Sequence, residues 1–259
     1  MTVKLKGIVL PPTLNYPKLD DFKLFDIMAQ VPVTAGLVGS YFLGSRNADP
    51  TYNFANPSLP LIQHLSPDYS DSKCSILSVN RGYYDTQIVP PTSQTIVAIA
   101  KVPSATGVIA SNYFKDSGGS ISGDSLMEII STVKQLRYYA QTGASSITSV
   151  TRDISTFNTG DFGVLGGIIS STPAVGAWSM SESQPPDATI ATLPARAINS
   201  RTLRIGASYD TSEFINDIGI SAVLIYNNDI GRTNITTVMN WLRNVVGVEA
   251  GIWSAPKSS

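Results

Sequence analysis

"TLRIGASYDTSEFINDIGISAVLIYNNDI", residues 202–230, reads as a short strand, an acid-bearing turn and a long strand whose apolar residues alternate. In an extended chain successive side chains point to opposite faces. Ile218, Ile220, Ala222, Leu224 and Tyr226 therefore share one face, and Gly219, Ser221, Val223 and Ile225 the other. The first set is apolar throughout and is expected to form the core face. The second is only partly polar, which places the strand inside a sheet, with Val223 and Ile225 against a second layer or a neighbouring subunit. Directly after it, residues 234–246 carry Ile235, Val238, Met239, Leu242, Val245 and Val246 at helical spacing. That stripe predicts a helix, with Thr233 able to cap its start and Gly247 its end, lying as a lid across one edge of the sandwich.

The chain before this segment repeats the strand texture. "GLVGSYFLG" (36–44), "CSILSV" (74–79), "QTIVAIAKV" (94–102), "TGVIASNYF" (106–114) and "SLMEIIST" (125–132) are short runs bounded by turn residues. "KQLRYYAQ" (134–141), "SSITSVTRDI" (145–154) and "FGVLGGIIS" (162–170) continue the series. Runs rich in Val, Ile, Tyr and Thr, without helices between them, predict an all-β sandwich or barrel. Residues 1–35 differ, because Pro11, Pro12, Pro17 and Pro32 prevent long helices and suit an extended N-terminal arm. One helix candidate, residues 21–30, interrupts the arm. The expected organisation is thus an arm over 1–35 and one β-sandwich domain over 36–259.

Several function classes are excluded or weakened at this level. Of the 259 residues 42% are hydrophobic, enough for one large core, and only 14% are charged, with a net charge of -1. No basic surface is available to hold a polyphosphate backbone, so nucleic acid is not an expected partner. No apolar run approaches the ~20 residues of a membrane-spanning helix, and the apolar run at the N-terminus is too short for a signal peptide. Cys74 is the one cysteine, which rules out an internal disulfide and a thiolate zinc site, and it reads as a small buried residue. His64, the one histidine, sits in "LIQHLSP" with no nucleophile elbow nearby and reads as a surface-loop residue.

The order of these pieces, closing on "LRIGAS…NDIGISAVLIYNNDIGRTNITTVMNWL", resembles the concanavalin A-like, or laminin G-like, jelly-roll domain. Leu203, Ile205, Gly206, Ile218, Val223, Ile225, Tyr226 and Ile230 match that family's closing signature, and the likeness extends over about residues 36–250. Asn216 stands where the family usually has glycine, and Asn234-Ile235-Thr236 replaces the acidic start of the helix. The resemblance implies a concanavalin A-like β-sandwich with a short C-terminal helix. It transfers no function, since the fold carries lectins, glycosidases, structural modules and viral proteins alike. The proline-rich arm together with a Ser/Thr/Asn-rich sandwich also looks like a bacteriophage or prophage virion component.

Candidate chemistry follows from these limits. Glycosidases of this fold place carboxylates two residues apart on one strand, whereas none of the four glutamates here, Glu128, Glu182, Glu213 and Glu249, has an acid at that spacing. No catalytic residue is assigned and no enzyme is expected. Calcium needs converging oxygen ligands; Asp210, Asp217 and Asp229, or Asp116 and Asp124, are the candidates, but no dense acidic pattern supports them, and neither metal nor cofactor is expected. Sugar binding needs accessible aromatic rings. Trp178, Tyr113 and Tyr209 are the ligand-binding candidates, Trp178 because "SSTPAVGAWSMSESQPPD" reads as a long rim loop; of Tyr83-Tyr84, Tyr113-Phe114 and Tyr138-Tyr139, one ring each must point inward. The leading expectation is a non-enzymatic, tail-associated virion protein, assembled in the host cytoplasm, with copies of itself and other virion proteins as partners. The alternative is a lectin-like module that binds a host-surface glycan, and a glycan-cleaving enzyme comes third.

Overall fold

The computed structural model describes residues 27, 30–44, 47, 49–171 and 174–255. Most of the predicted arm, including all of its candidate helix except Ile27 and Gln30, lies outside the described residues. In chain order the strands are β1 (Leu37–Phe42), β2 (Ile62–Leu65), β3 (Ser75–Leu77), β4 (Gly82–Asp85), β5 (Gln94–Lys101) and β6 (Gly107–Ser111). There follow β7 (Phe114–Lys115), β8 (Ile121–Ser122), β9 (Ser125–Ile130), β10 (Lys134–Gly143) and β11 (Ser146–Asp153). The last are β12 (Phe162–Ser170), β13 (Ala174–Met180), β14 (Asp187–Thr192), β15 (Arg204–Ile205) and β16 (Ile218–Tyr226), and helix α1 (Gly231–Trp241) comes after them.

Two seven-stranded antiparallel sheets face each other. The first has the order β1-β16-β5-β12-β13-β14, with β3 also paired to β16, and the second the order β11-β10-β9-β6-β15-β4-β2. The expected β-sandwich with one short C-terminal helix is therefore the observed fold. Inward residues of both sheets, among them Ile96, Ala98, Leu126, Leu136, Tyr138, Leu165 and Ile205, form the core between them. The opposite face of the first sheet is buried as well: Val97, Ile99, Val164 and Ile168 lie in a second apolar cluster with Ile235, Val238, Met239, Leu242 and Val246. The predicted stripe of the helix is thus found, but α1 packs across a sheet face, against β5 and β12, and not along an edge.

All nine residues of β16 are buried. Their division between the two clusters departs from simple alternation, because the register with β5 shifts between Ile220 and Ala222. This bulge at Ser221 passes the strand from one face to the other. Ile218, Ile220, Val223 and Ile225 enter the inter-sheet core, while Ala222, Leu224 and Tyr226 lie under the helix. Val223 and Ile225 do meet a second layer, and that layer is the opposing sheet.

The helix ends also differ from the expected caps. Asp229 accepts a hydrogen bond from the Gly231 backbone N–H at 2.7 Å, so the helix begins before Thr233. It continues as a π-helical turn, Leu242–Val246, and a final turn, Gly247–Glu249. Gly247 is inside this run, where a Cβ would strike the Trp253 ring, and the positive φ of +66° that ends it belongs to Gly251. The described end of the arm joins the same cluster, with Ile27 and Val31 buried in it and Val33 O accepting from the Tyr226 hydroxyl at 3.1 Å.

One polar group ties the two sheets together. Asp124, just before β9, accepts from Arg196 Nη1 and Nη2 at 2.8 and 2.7 Å, from Gln94 Nε2 of β5 at 2.8 Å and from the Gln141 N–H of β10 at 2.9 Å. Arg196 spends its remaining donors on the carbonyls of Pro91, Thr92, Gln141 and Ala197. Both side chains are nearly inaccessible, at 6% and 3%. Removing one partner strands a buried charge, so Arg196→Met is expected to lower stability by about 3–5 kcal/mol. Urea denaturation measures this, and the double change with Asp124→Asn should recover part of the loss.

Glu128 on β9 is fully buried, and among the described residues neither carboxylate oxygen has a hydrogen-bond partner. Burial pushes its carboxyl up from the ordinary 4.5 to about 8. Below pH 4.5 the acid is neutral in both folded and unfolded chains and costs nothing extra. As pH rises from there to about 8 the unfolded chain ionises while the fold retains the proton, so stability falls and then levels off. Glu128→Gln is therefore expected to stabilise the protein above pH 8, by on the order of 4 kcal/mol. Denaturation midpoints should show that gain vanish near pH 4.

Candidate functional site

One end of the sandwich holds a cleft of about 570 Å³, within the size range of small-ligand sites. Its floor comes from the pairing of Lys101, at the end of β5, with Phe162, at the start of β12. Lys101 Nζ lies 5.6 Å from the Phe162 ring centroid and 3.3 Å from Asp71 Oδ2. One wall is the turn between β11 and β12, in which Asp161 Oδ2 accepts from the Asn158 backbone and side-chain amides at 3.0 and 2.9 Å. That turn is fastened to the sheet by the Val102 N–H, which donates to Asp161 O at 2.8 Å. The other wall is the segment after β13, with Ser181, Glu182 and Ser183, and behind it Ile252 and Trp253. Arg243 supports this wall, 4.8 Å from the Trp253 ring and 3.5 Å from Glu182 Oε1.

The cleft thus sets amide, hydroxyl, ammonium and carboxylate groups around a half-buried phenyl ring, a surface suited to a polyhydroxylated ligand. One of its acids, Asp71, is ill suited to serve as a general acid. Burial alone would raise the Asp71 carboxyl, but the Lys73 backbone N–H, the Lys101 ammonium and the Cys74 thiol outweigh it and hold the acid below its ordinary value. A general acid needs the opposite shift. The carboxyls with a raised value, Glu128 and the Arg196-bound Asp124, are both buried and neither lines the cleft.

The candidate residues named from sequence fall elsewhere. Trp178 is not in a rim loop: it stands mid-strand in β13, 5% exposed, within the cluster under the helix. The hollow it borders is about 100 Å³, below the range of ligand sites. Only the following polar residues, 181–187, reach the rim, where they line the cleft and an adjoining depression. Tyr113 is 4% exposed, its ring against Phe214 at 5.6 Å and its hydroxyl 3.4 Å from Glu213. Tyr209 is half-buried on the outer side of the second sheet, with the Arg204 guanidinium 3.5 Å from its ring centroid. In the tyrosine pairs the expected inward rings are Tyr84 and Tyr138, both in the core, which leaves Tyr83 and Tyr139 outside. His64 belongs to edge strand β2, not a loop, and stacks on Tyr83 at 4.8 Å.

The acids considered for calcium have other partners. Asp210 accepts from the Ser212 and Glu213 N–H groups, Asp217 pairs with Arg81, Asp229 starts the helix, and Asp116 accepts from Ser120 N–H in the β7–β8 turn. Asp124 is held by Arg196. Among the described residues no group of three or more His, Cys, Asp or Glu could hold a metal ion. No described helix is long and apolar enough to cross a membrane.

The cleft residues Asn158, Asp161, Phe162 and Trp253 were not singled out in the sequence. Their one local signal is the turn pattern "FNTGD" ahead of a strand, which marks a connection without saying that three other segments converge on it.

No protein-family model matches the sequence, and no curated protein matches it either. Solved structures do. The receptor-binding domain of botulinum neurotoxin D superposes with a TM-score of 0.58 at 10% identity, over 80% of this chain and 53% of that one. The serotype D ligand-binding domain in complex with N-acetylneuraminic acid gives 0.59 at 12% identity, over 85% and 54%. The serotype G binding domain gives 0.56 at 10%, over 82% and 52%. The chain spans about half the length of these neighbours, and at such identity the likeness is one of fold.

Because Trp178 is packed under the helix, Trp178→Ala is expected to act on stability, lowering it by about 3–5 kcal/mol. Chemical denaturation measures the loss, and ligand affinity of the folded variant should match the wild type.

Proposed function

We propose that this chain is a non-enzymatic binding module that holds a glycan in the cleft at the end of its β-sandwich. The observation that carries the reading is the cleft itself, with Asn158, Asp161, Ser181 and Lys101 arranged around the Phe162 ring. Sugars are bound by such groups, hydroxyls to amides and carboxylates and C–H faces to an aromatic ring. The solved neighbours support it, since they are named as receptor-binding domains and one carries N-acetylneuraminic acid. The ion-paired, hydrogen-bonded state of the cleft acids supports recognition over cleavage. On a glycan array the native protein should bind a defined subset of sugars. Phe162→Ala and Asn158→Ala should each weaken that binding at least tenfold, about 1.4 kcal/mol, measured on protein shown to be folded by circular dichroism, since Phe162 also packs against the second cluster. Silence across the array would refute the reading.

The finer part of the proposal places the module on a bacteriophage virion as a tail-associated component. It docks there on other virion proteins and on copies of itself through the proline-rich N-terminal segment and the sandwich faces, and is assembled in the host cytoplasm. Support comes from the proline density of residues 1–35 and the Ser/Thr/Asn-rich sandwich, and from the fit between a receptor-binding fold and a tail that must recognise a host surface. Deleting residues 1–26 spares Ile27, Val31 and Val33, which belong to or touch the second cluster. The truncated protein should fold and keep its glycan affinity but fail to enter the particle; normal incorporation would sink the docking role.

A further inference from the structure

The outer side of the second sheet carries a constellation that the cleft does not use. Arg204 of β15 lies between two tyrosines, its guanidinium 3.5 Å from the Tyr209 ring centroid and 4.8 Å from that of Tyr83. Arg201 sits 4.1 Å from the Phe114 centroid and 5.8 Å from that of Tyr209. Two cations thus share one tyrosine. Among the described residues neither forms an ion pair, although six other cationic side chains do. Within the described residues the Arg204 side chain donates from Nη1 to Ser208 O at 3.2 Å, and its buried Nε has no partner. Arg201 Nη1 reaches only Ser122 Oγ, at 3.4 Å.

Two like charges held together on a partly dry aromatic shelf repel each other, and an anion between them would relieve that. Stacking leaves the in-plane N–H edge of a guanidinium able to donate to a carboxylate; with Nη1 of Arg204 given to Ser208 O and its Nε buried, Arg204 offers Nη2 and Arg201 the wider edge. Beside them Asp85 Oδ2 accepts from Thr202 Oγ1 at 2.8 Å, and Thr202 Oγ1 lies 2.8 Å from the Tyr209 hydroxyl. A fixed carboxylate would repel a polyanion but accepts hydrogen bonds from neutral hydroxyls. The rings of Tyr83 and Tyr209 are already faced by Arg204, and Tyr83 by His64 as well, so this is not a stacking platform for a neutral sugar.

We propose that this face is a second binding site, separate from the cleft, for an acidic sugar: Arg201 and Arg204 take its carboxylate, and Asp85 with Thr202 takes its hydroxyls. NMR titration of the full chain with glucuronic acid, glucose and sodium sulfate tests it. Glucuronic acid should shift the resonances of Tyr83 and Tyr209, with glucose at least tenfold weaker and sulfate weaker than glucuronate. Arg201→Lys and Arg204→Lys should each weaken glucuronate at least fivefold, and Phe162→Ala in the cleft should leave it unchanged. Equal affinity for glucose, sulfate as tight as glucuronate, or no shift on this face with glucuronic acid would each overturn the proposal. The comparison of the three ligands needs no variant, and it stands whether or not the cleft binds a glycan.

Discussion

The fold depends on β16 being buried on both faces. A strand between a helix and an opposing sheet must supply apolar side chains in both directions, and this one does so along its whole length. The bulge at Ser221 sets which residue goes where: before it Ile218 and Ile220 fill the inter-sheet core, after it Ala222 and Leu224 carry the helix. β1 and β3 pair along one side of the strand and β5 along the other, so any slip in β16 would misplace the seam of the first sheet. The helix follows from the same constraint, since the upper face of β5, β12 and β16 would otherwise leave an apolar surface open to water.

Polar groups inside such a structure are tolerated only under strict conditions, and two carboxylates show both outcomes. Asp124 is surrounded by donors from β5, β10 and the segment before β15, so its charge becomes a clamp between sheets. Glu128, in the same hairpin region, is buried with no donor among the described residues and is instead kept neutral by desolvation. The same residue class thus gives cohesion in one place and a pH-dependent cost in the other, depending on what the opposing segment presents.

Polar and aromatic side chains gather at the loop-bearing end of the sandwich and on the outer side of the second sheet. The end cleft is concave because three connections and Trp253 converge around the end of the β5–β12 pair, in the middle of the first sheet. Among the described residues no helix lies over the outer side of the second sheet, and there Arg201 and Arg204 stack on aromatic rings. The two surfaces differ in chemistry: mixed hydrogen-bonding groups in the first, and in the second two guanidiniums that no carboxylate among the described residues pairs with.

Much of the architecture could be read from local pattern. The Val-, Ile- and Tyr-rich runs at 94–102, 134–141 and 162–170, bounded by turn residues, and the helical stripe from Ile235 to Val246 are properties of single segments, and each became the element it implied. What failed to show locally has a common physical cause. Trp178 looked like a loop residue because its strand is short of β-branched side chains and rich in Gly, Ala and Ser; pairing with β12 and β14 makes it a strand regardless. His64 was hidden likewise, on an edge strand held by β4. The face change in β16 could not be seen either, because a bulge is set by the register with a partner strand and alternation within one strand carries no trace of it. The acids of residues 202–230 follow the same rule. Their identity marks turns, but whether Asp217 meets Arg81 or Glu213 meets Lys115 is settled by segments about a hundred residues away. Periodicity belongs to the chain, and so the sequence specifies strands, helix and core composition; sites are made where distant segments meet, and only the folded packing brings those together.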